Sequence, residues 1–420
     1  MPQFISRWIG SGSKISERLH FAVGWYLLSL MMETKKHSLT FAAAISGLHK
    51  SQFSRLLLHV ELAKENFLLT SKAIAQQVAE NRRILVPGTE WSVVLIIDST
   101  LHRRSSRHVQ NSQRFNHGEG FVIGHQWTNI VLVINERTIP LPPIAFFSKN
   151  ECKRRGIAYE TEHNKILNYL ENLNLSLWIG IHRPKEVVVL MDSAYGDKNI
   201  LSAIRTRKWH WICGLKTNRS VQTVAGAKAN PRKWYSVKEL FKSAKKQAPF
   251  QTIRDLQGLG TRSKKKRKEF RARRLLGHLK KIPFKVALVC SEIPKQKSRI
   301  YLACSNIHID TRAIVLGYRQ RWWVELFHRA TKFNFGLQDA GVKNFDSVIS
   351  HVHWVYTAYL LFQGKAHDEE AGIEELQRKL KAGHDSKYYR EIIQLCTRYG
   401  EKESIKKHCY EAIEGLESVA

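Results

Sequence analysis

The sequence predicts an α/β fold, with a sheet that carries acidic residues at its edge. Two continuous apolar, largely β-branched runs, at residues 93–97 and 187–191, each lead directly into an aspartate, Asp98 and Asp192. Runs as unbroken as these belong to strands buried on both faces. Segments of helical periodicity, at 159–177 and again from 310 onward, alternate with the strand-like runs, which is the pattern of a sheet covered by helices.

The remaining elements follow in order. Residues 1–89 read as helical. Within them, 38–59 has the spacing of a helix-turn-helix: Thr40 capping a first helix, Gly47 in the turn, Ser51 capping a second, and Ala43 and Phe53 at the crossing. His49, Lys50, Gln52, Ser54 and Arg55 would then face DNA, although any tight helical hairpin fits the same spacing. After the strand at 93–97 comes a basic stretch with His102, Arg103, Arg104 and Arg107. Strands at 121–134 and 138–147 flank a turn at 135–137. A short helix begins near Asp197 and another strand covers 209–215. Residues 216–310 read as a separate β-rich module with a basic run at 262–268. A long helix then runs from about Asp310 to Phe335, and apolar helices continue to about Phe362. The domains expected are therefore 1–89, a helical DNA-binding region; 90–215 with 311–363, the catalytic core; 216–310, a β-rich basic insertion; and 364–420, a helical C-terminal region. In that last region, acidic residues outnumber basic ones, unlike the rest of the chain, so it is better suited to protein contact than to gripping DNA.

Charge narrows the function. The 420 residues hold 68 Lys and Arg against 36 Asp and Glu, a formal net charge of +32. Such a field favours a polyanionic partner, with nucleic acid ahead of an anionic membrane surface. No apolar run is long enough to span a bilayer, and the apolar stretch at 21–32 lacks a signal-peptide pattern. The six cysteines, Cys152, Cys213, Cys290, Cys304, Cys396 and Cys409, form no C-x-x-C pair and no zinc-finger spacing. They read as small core residues in a reducing, cytoplasmic setting.

Asp98 and Asp192 are the chemical clue. A carboxylate just past a buried strand sits on a rigid mount, and neighbouring parallel strands would bring two of them together. Oxygen ligands in that arrangement suit Mg²⁺. Each Asp would equally serve as the cap of a following helix. The segment 318–332 supplies a third carboxylate. At about 100° per residue, Tyr318, Arg321, Glu325 and Lys332 fall within an arc of about 60°. Trp323, Leu326, Phe327, Ala330 and Phe333 form the stripe expected to be buried, and Trp322 its packed edge. Glu325 then completes a metal site, with Arg321 and Lys332 placed to hold phosphates. An ordinary amphipathic helix with an Arg321–Glu325 pair at i,i+4 fits as well.

Tyr318, Arg321, Glu325 and Lys332 match the Y-x₂-R-x₃-E-x₆-K signature, and the chain resembles bacterial insertion-sequence DDE transposases of the insertion-sequence-four-like group. The element order is similar too, and Asp192-Ser193-Ala194-Tyr195 and the segment Gly214 to Arg219 resemble that family's second-Asp motif and its following strand. The likeness covers roughly residues 90–340. It implies a ribonuclease-H-like mixed-sheet catalytic core with a β-rich insertion between the second Asp and the Glu. It also implies Asp98, Asp192 and Glu325 as catalytic metal ligands, for two Mg²⁺ ions with Mn²⁺ able to substitute. Tyr318, Arg321 and Lys332 would be the DNA-binding residues. The expected partners are double-stranded DNA, both terminal inverted repeats and target, bound by a homodimer in the bacterial cytoplasm at the nucleoid, with no membrane. The reaction implied is hydrolysis at transposon ends and strand transfer of the 3′-OH. A stand-alone nuclease of the same fold and a non-catalytic DNA-binding relative are the alternatives.

Overall fold

A computed structural model describes residues 17–104, 108–243, 249–255, 268–294, 298–368 and 373–398. Its strands, in chain order, are β1 (Val93–Arg103), β2 (Gln113–His117), β3 (Gly120–Ile134), β4 (Arg137–Pro140), β5 (Ile144–Ala145), β6 (Val187–Met191), β7 (His210–Leu215), β8 (Ser220–Thr223), β9 (Tyr235–Ser236), β10 (Gln251–Asp255), β11 (Lys268–Leu279), β12 (Lys285–Glu292) and β13 (Arg299–Cys304). They are distributed over two compact units. One comprises 1–71, 102–124 and 328–420, the other 72–101 and 125–327.

The second unit is organised by its sheet. The first five residues of β1 and all five of β6 are fully buried, as their unbroken apolar runs require. They pair in parallel, from Val93 with Val187 to Ile97 with Met191. β7 continues the parallel set, from Val188 with His210 to Met191 with Cys213. The helix Lys198–Thr206, capped by Asp197, makes the crossover between β6 and β7. On the other side β3 neighbours β1, and β4 pairs antiparallel with β3. The β3–β4 hairpin turns on Asn135 and Glu136, both at positive φ, as a two-residue hairpin loop requires. The order β4-β3-β1-β6-β7 is the mixed sheet of a ribonuclease-H-like core.

The β-rich segment extends that sheet. β13 lies antiparallel on β7, β12 on β13, and β11 on β12. β8 and β10 both pair with β11. The basic run at 262–268 falls outside the described residues, except that Lys268 opens β11, and Arg107 also falls outside.

The other unit is mainly helical. Its helices include Glu17–Met31, Leu39–Ser46, Lys50–Leu56 and Phe345–Asp368. The Tyr26 hydroxyl meets His351 Nδ1 at 2.7 Å in its core. The two short helices form the expected hairpin about Gly47, which is left-handed at φ +70. Their caps differ from the expected ones. Ser38, not Thr40, accepts the Phe41 N–H, and the His49 ring, not the Ser51 hydroxyl, caps the second helix by accepting the Ser51 N–H. Phe53 is buried, while His49, Lys50, Gln52 and Arg55 are exposed. No helix among the described residues is long and apolar enough to cross a membrane.

Candidate active site

The strand register sets the site. Ile97 pairs with Met191, so Asp98 and Asp192 follow at the same level on adjacent parallel strands. β6 stops there, whereas β1 runs on to Arg103. The expected strand end at Asp98 is therefore corrected: Asp98 lies within β1, at the point where its parallel neighbour ends. Open space outside the carboxyl ends of parallel strands is where α/β sheets bind ligands.

Glu325 comes from the helix Trp322–Phe333. The expected single helix from 310 to 335 is two helices, Thr311–Arg319 and Trp322–Phe333, joined at Gln320 and Arg321. The Gln320, Arg321, Trp323 and Val324 N–H groups each bond three residues back. That tighter winding changes the angular phase of everything after it. The buried positions are consequently Val324, Phe327, His328 and Thr331, not the stripe of Trp323, Leu326, Ala330 and Phe333; Phe327 alone is common to both. Trp322 is 55% and Phe333 76% exposed, so neither packs as expected.

Two glycines fit this helix pair to the sheet. A Cβ on Gly317 would lie 2.8 Å from the Trp91 ring and 2.9 Å from Ile212 Cδ1, so glycine lets the first helix lie directly on β7. The next residue, Tyr318, then reaches Gly214 at the level of Asp192. A Cβ on Gly214 would stand 2.8 Å from the Tyr318 hydroxyl and 3.2 Å from the Ser193 nitrogen. Burial pushes the Tyr318 phenol up to about 12, against the lowering effect of Arg321; it is a neutral hydroxyl at physiological pH.

Carboxylate oxygens of Asp98 and Glu325 lie within 4.8 Å of each other. Arg321 bridges them, its Nη1 3.6 Å from Asp98 Oδ2 and its Nη2 donating to Glu325 Oε1 at 3.1 Å. Asp192 is close enough for its charge to act on Asp98, and its Oδ1 accepts the Ala194 N–H at 2.7 Å. Burial, then the charges of Glu325 and Asp192, push the Asp98 carboxyl up to about 7, although Arg321 pulls the other way. Asp98 and Glu325 thus bring carboxylate oxygens close together with a single arginine between them, and Asp192 adds its charge from the adjoining strand. Carboxylate oxygens are the donors that suit a hard divalent cation.

Behind Asp98 stands a support that the sequence did not reveal. The Tyr195 hydroxyl, close enough to Ser99 and Asp98 to interact with both, donates to Glu162 Oε1 at 2.9 Å. Thr128 donates to the same oxygen and Gln126 to Oε2. Glu162 opens the helix Glu162–Asn172, with Thr161 as its cap. Beyond Asp192, a cavity of about 420 Å³ is lined by Ser193, Gly196, Lys216, Asn218, Arg219 and His163 among others. The Arg219 Nε is buried there without a hydrogen-bond partner.

The residues expected to act together thus separate into three placements. Asp98, Glu325 and Arg321 meet directly, and Asp192 and Tyr318 adjoin them through β6 and Gly214. Lys332 lies in the last turn of the Glu325 helix, in the other unit.

A family model described as a transposase DDE domain matches residues 92–361. Among solved structures, the NurA nuclease from Sulfolobus solfataricus aligns at 13% identity over 77% of this chain and 98% of that one, with a TM-score of 0.23, too distant a likeness to carry an argument. No curated protein matches the sequence.

Proposed function

The chain belongs to the transposase DDE domain family, and on that premise we propose that it cuts DNA at the ends of a mobile element and joins the freed 3′-OH to target DNA. The observation that carries this reading is the meeting of Asp98 and Glu325, from distant parts of the chain, with Asp192 on the adjoining strand. Asp98, Asp192 and Glu325 would hold the metal, Mg²⁺ with two ions as the full complement. When bound, divalent metal supplies charge for the phosphate and lowers the pKa of a coordinated water.

The chain's own residues do the rest. Arg321 bridges Asp98 and Glu325 and stands where a phosphate oxygen would enter. Its guanidinium can exchange a carboxylate for a phosphate with the same forked geometry. Tyr318 offers a neutral hydroxyl to position the backbone, and its high pKa speaks against a role as nucleophile. The exposed Trp322 ring is a stacking surface for an unpaired base. Lys216 and Arg219 provide positive charge beside Asp192, and Lys332 would neutralise a phosphate further along the DNA. The exposed face of the helix Lys50–Leu56 would read duplex DNA. A homodimer pairing two inverted repeats completes the scheme.

The test uses purified protein and a duplex carrying the element's end. Mg²⁺ or Mn²⁺ should support nicking and strand transfer, while Ca²⁺ should support binding without turnover. Cleavage that persists in chelator would refute metal-dependent chemistry. Cleavage without strand transfer would favour a nuclease, and binding without any cleavage a non-catalytic relative.

A further inference from the structure

A second basic cavity lies at the opposite edge of the sheet, and no part of the mechanism above uses it. Its volume is about 610 Å³, and its lining includes Arg205, Lys208, His210, Phe284, Lys285 and His308. β7 and β12 begin at this edge and β13 ends here, with Ser305 N bonded to Trp211 O. Asp98 and Asp192 lie at the level of Gly214, near the other end of β7. At about 3.3 Å per residue, the steps from His210 to Gly214 put the cavity roughly 13 Å from the carboxylate edge.

Three features mark it as built for an anion. No carboxylate lines it, and among the described residues no acid pairs with Arg205, Lys208 or Lys285. Arg205 lies over the Phe284 ring, 4.1 Å from its centroid, a contact that holds it without using its hydrogen-bond donors. Lys208 adopts φ +59 at the end of the helix Lys198–Thr206, a left-handed position at which glycine is the usual choice. Cations at a helix C-terminus also offset the helix dipole. That accounts for Arg205 and Lys208 but not for Lys285 and His308, which reach the cavity from β12 and from the segment after β13.

We infer that this cavity is a second DNA-backbone site, gripping phosphates of a duplex segment other than the one being cut. The volume exceeds what a single phosphate needs, and separate cationic groups from two segments, Arg205 with Lys208 and Lys285, suit consecutive phosphates along a strand. The inference rests on the DNA-directed reading of the chain, but not on cleavage.

The experiment compares the native protein with Lys208→Gly/Lys285→Gln. Glycine removes the Lys208 charge and relieves its backbone, so the fold is preserved; thermal melting verifies this, and Arg205→Gln repeats the test at an independent position. Binding to a long duplex is measured against salt concentration with Ca²⁺ present, and cleavage is measured with Mg²⁺ at saturating DNA. The double variant should flatten the log–log salt dependence by about two units, roughly 0.9 per lost phosphate contact, with cleavage at saturation within about twofold of native. An unchanged salt slope overturns the inference. A lowered slope with cleavage lost at saturating DNA also overturns it, since the cavity would then serve the cutting site. If the native protein binds DNA but cuts none, the cleavage reading fails, while the slope comparison still decides the cavity.

Discussion

Replacing Asp98 with Asn should abolish cleavage and, in the same protein without metal, raise stability. The Asp98 carboxyl titrates at about 7 in the fold against an ordinary 3.8, and its side chain is only 15% exposed. The folded chain therefore keeps a proton that the unfolded chain gives up. The contribution of Asp98 to stability is greatest below pH 4, declines as pH rises towards 7, and is level above that. At about 1.36 kcal/mol per pH unit, ionising Asp98 costs the fold at most about 4 kcal/mol, and about half of that once the site relaxes and admits water. The carboxamide that Asp98→Asn introduces has nearly the same shape and no charge to bury. Thermal unfolding in EDTA should show D98N gaining on the native protein by up to about 3 kcal/mol more at pH 8 than at pH 5. Adding Mg²⁺ at pH 8 should then stabilise the native protein, through preferential binding to its folded form, and leave D98N unmoved. An equal effect of D98N at both pH values, or a loss of stability at pH 8, would refute the picture of an acid cluster lacking its cation.

Gly214→Ala should leave DNA binding intact and slow cleavage by about tenfold or more, because the new methyl displaces the Tyr318 hydroxyl at the level of Asp192; single-turnover kinetics beside a binding isotherm separate the two. Arg321→Gln removes the cation that lowers the Asp98 pKa, so the acid limb of the Mg²⁺-supported pH–rate profile should move to higher pH, and the activity lost at pH 7 should exceed that lost at pH 9. Tyr195→Phe deletes one donor to a charged carboxylate, a loss of about 2 kcal/mol visible in denaturant unfolding, and should reduce cleavage through Ser99 and Asp98 without altering the salt dependence of DNA binding.

What the sequence disclosed and what it hid divide on physical grounds. Strands β6 and the first half of β1 were legible because burial on both faces leaves a continuous apolar run. The second half of β1 was not. His102 is polar, yet it is buried, and Arg104, just past the strand, is buried too; it donates to the Ala340 carbonyl and takes its backbone partner from Ile123. Those partners lie far away in the chain, so no local pattern announces the strand. The kink at Gln320 was hidden for a similar reason. A helical wheel assumes one uniform winding, and nothing in the run from Tyr318 to Lys332 breaks a helix by propensity. Glu162 was invisible as a site residue because its role is assembled from Gln126, Thr128 and Tyr195, which share no motif.

The four-residue signature was legible even though the wheel behind it was wrong. Tyr318 does not share a uniform helical face with Glu325; it sits on the preceding helix and is brought to the site by Gly317 against Trp91 and by Gly214 beneath its hydroxyl. Arg321 occupies the turn itself, which is how it can touch both Glu325, four residues ahead, and Asp98 on the strand below. A continuous helix would allow the Arg321–Glu325 pair and nothing more. The tightened turn therefore converts an ordinary i,i+4 ion pair into a three-way contact with the sheet. In that contact the arginine partly offsets the Asp98 charge but does not satisfy it, since the carboxyl still titrates near neutrality. A site held in that condition favours whatever positive charge arrives next.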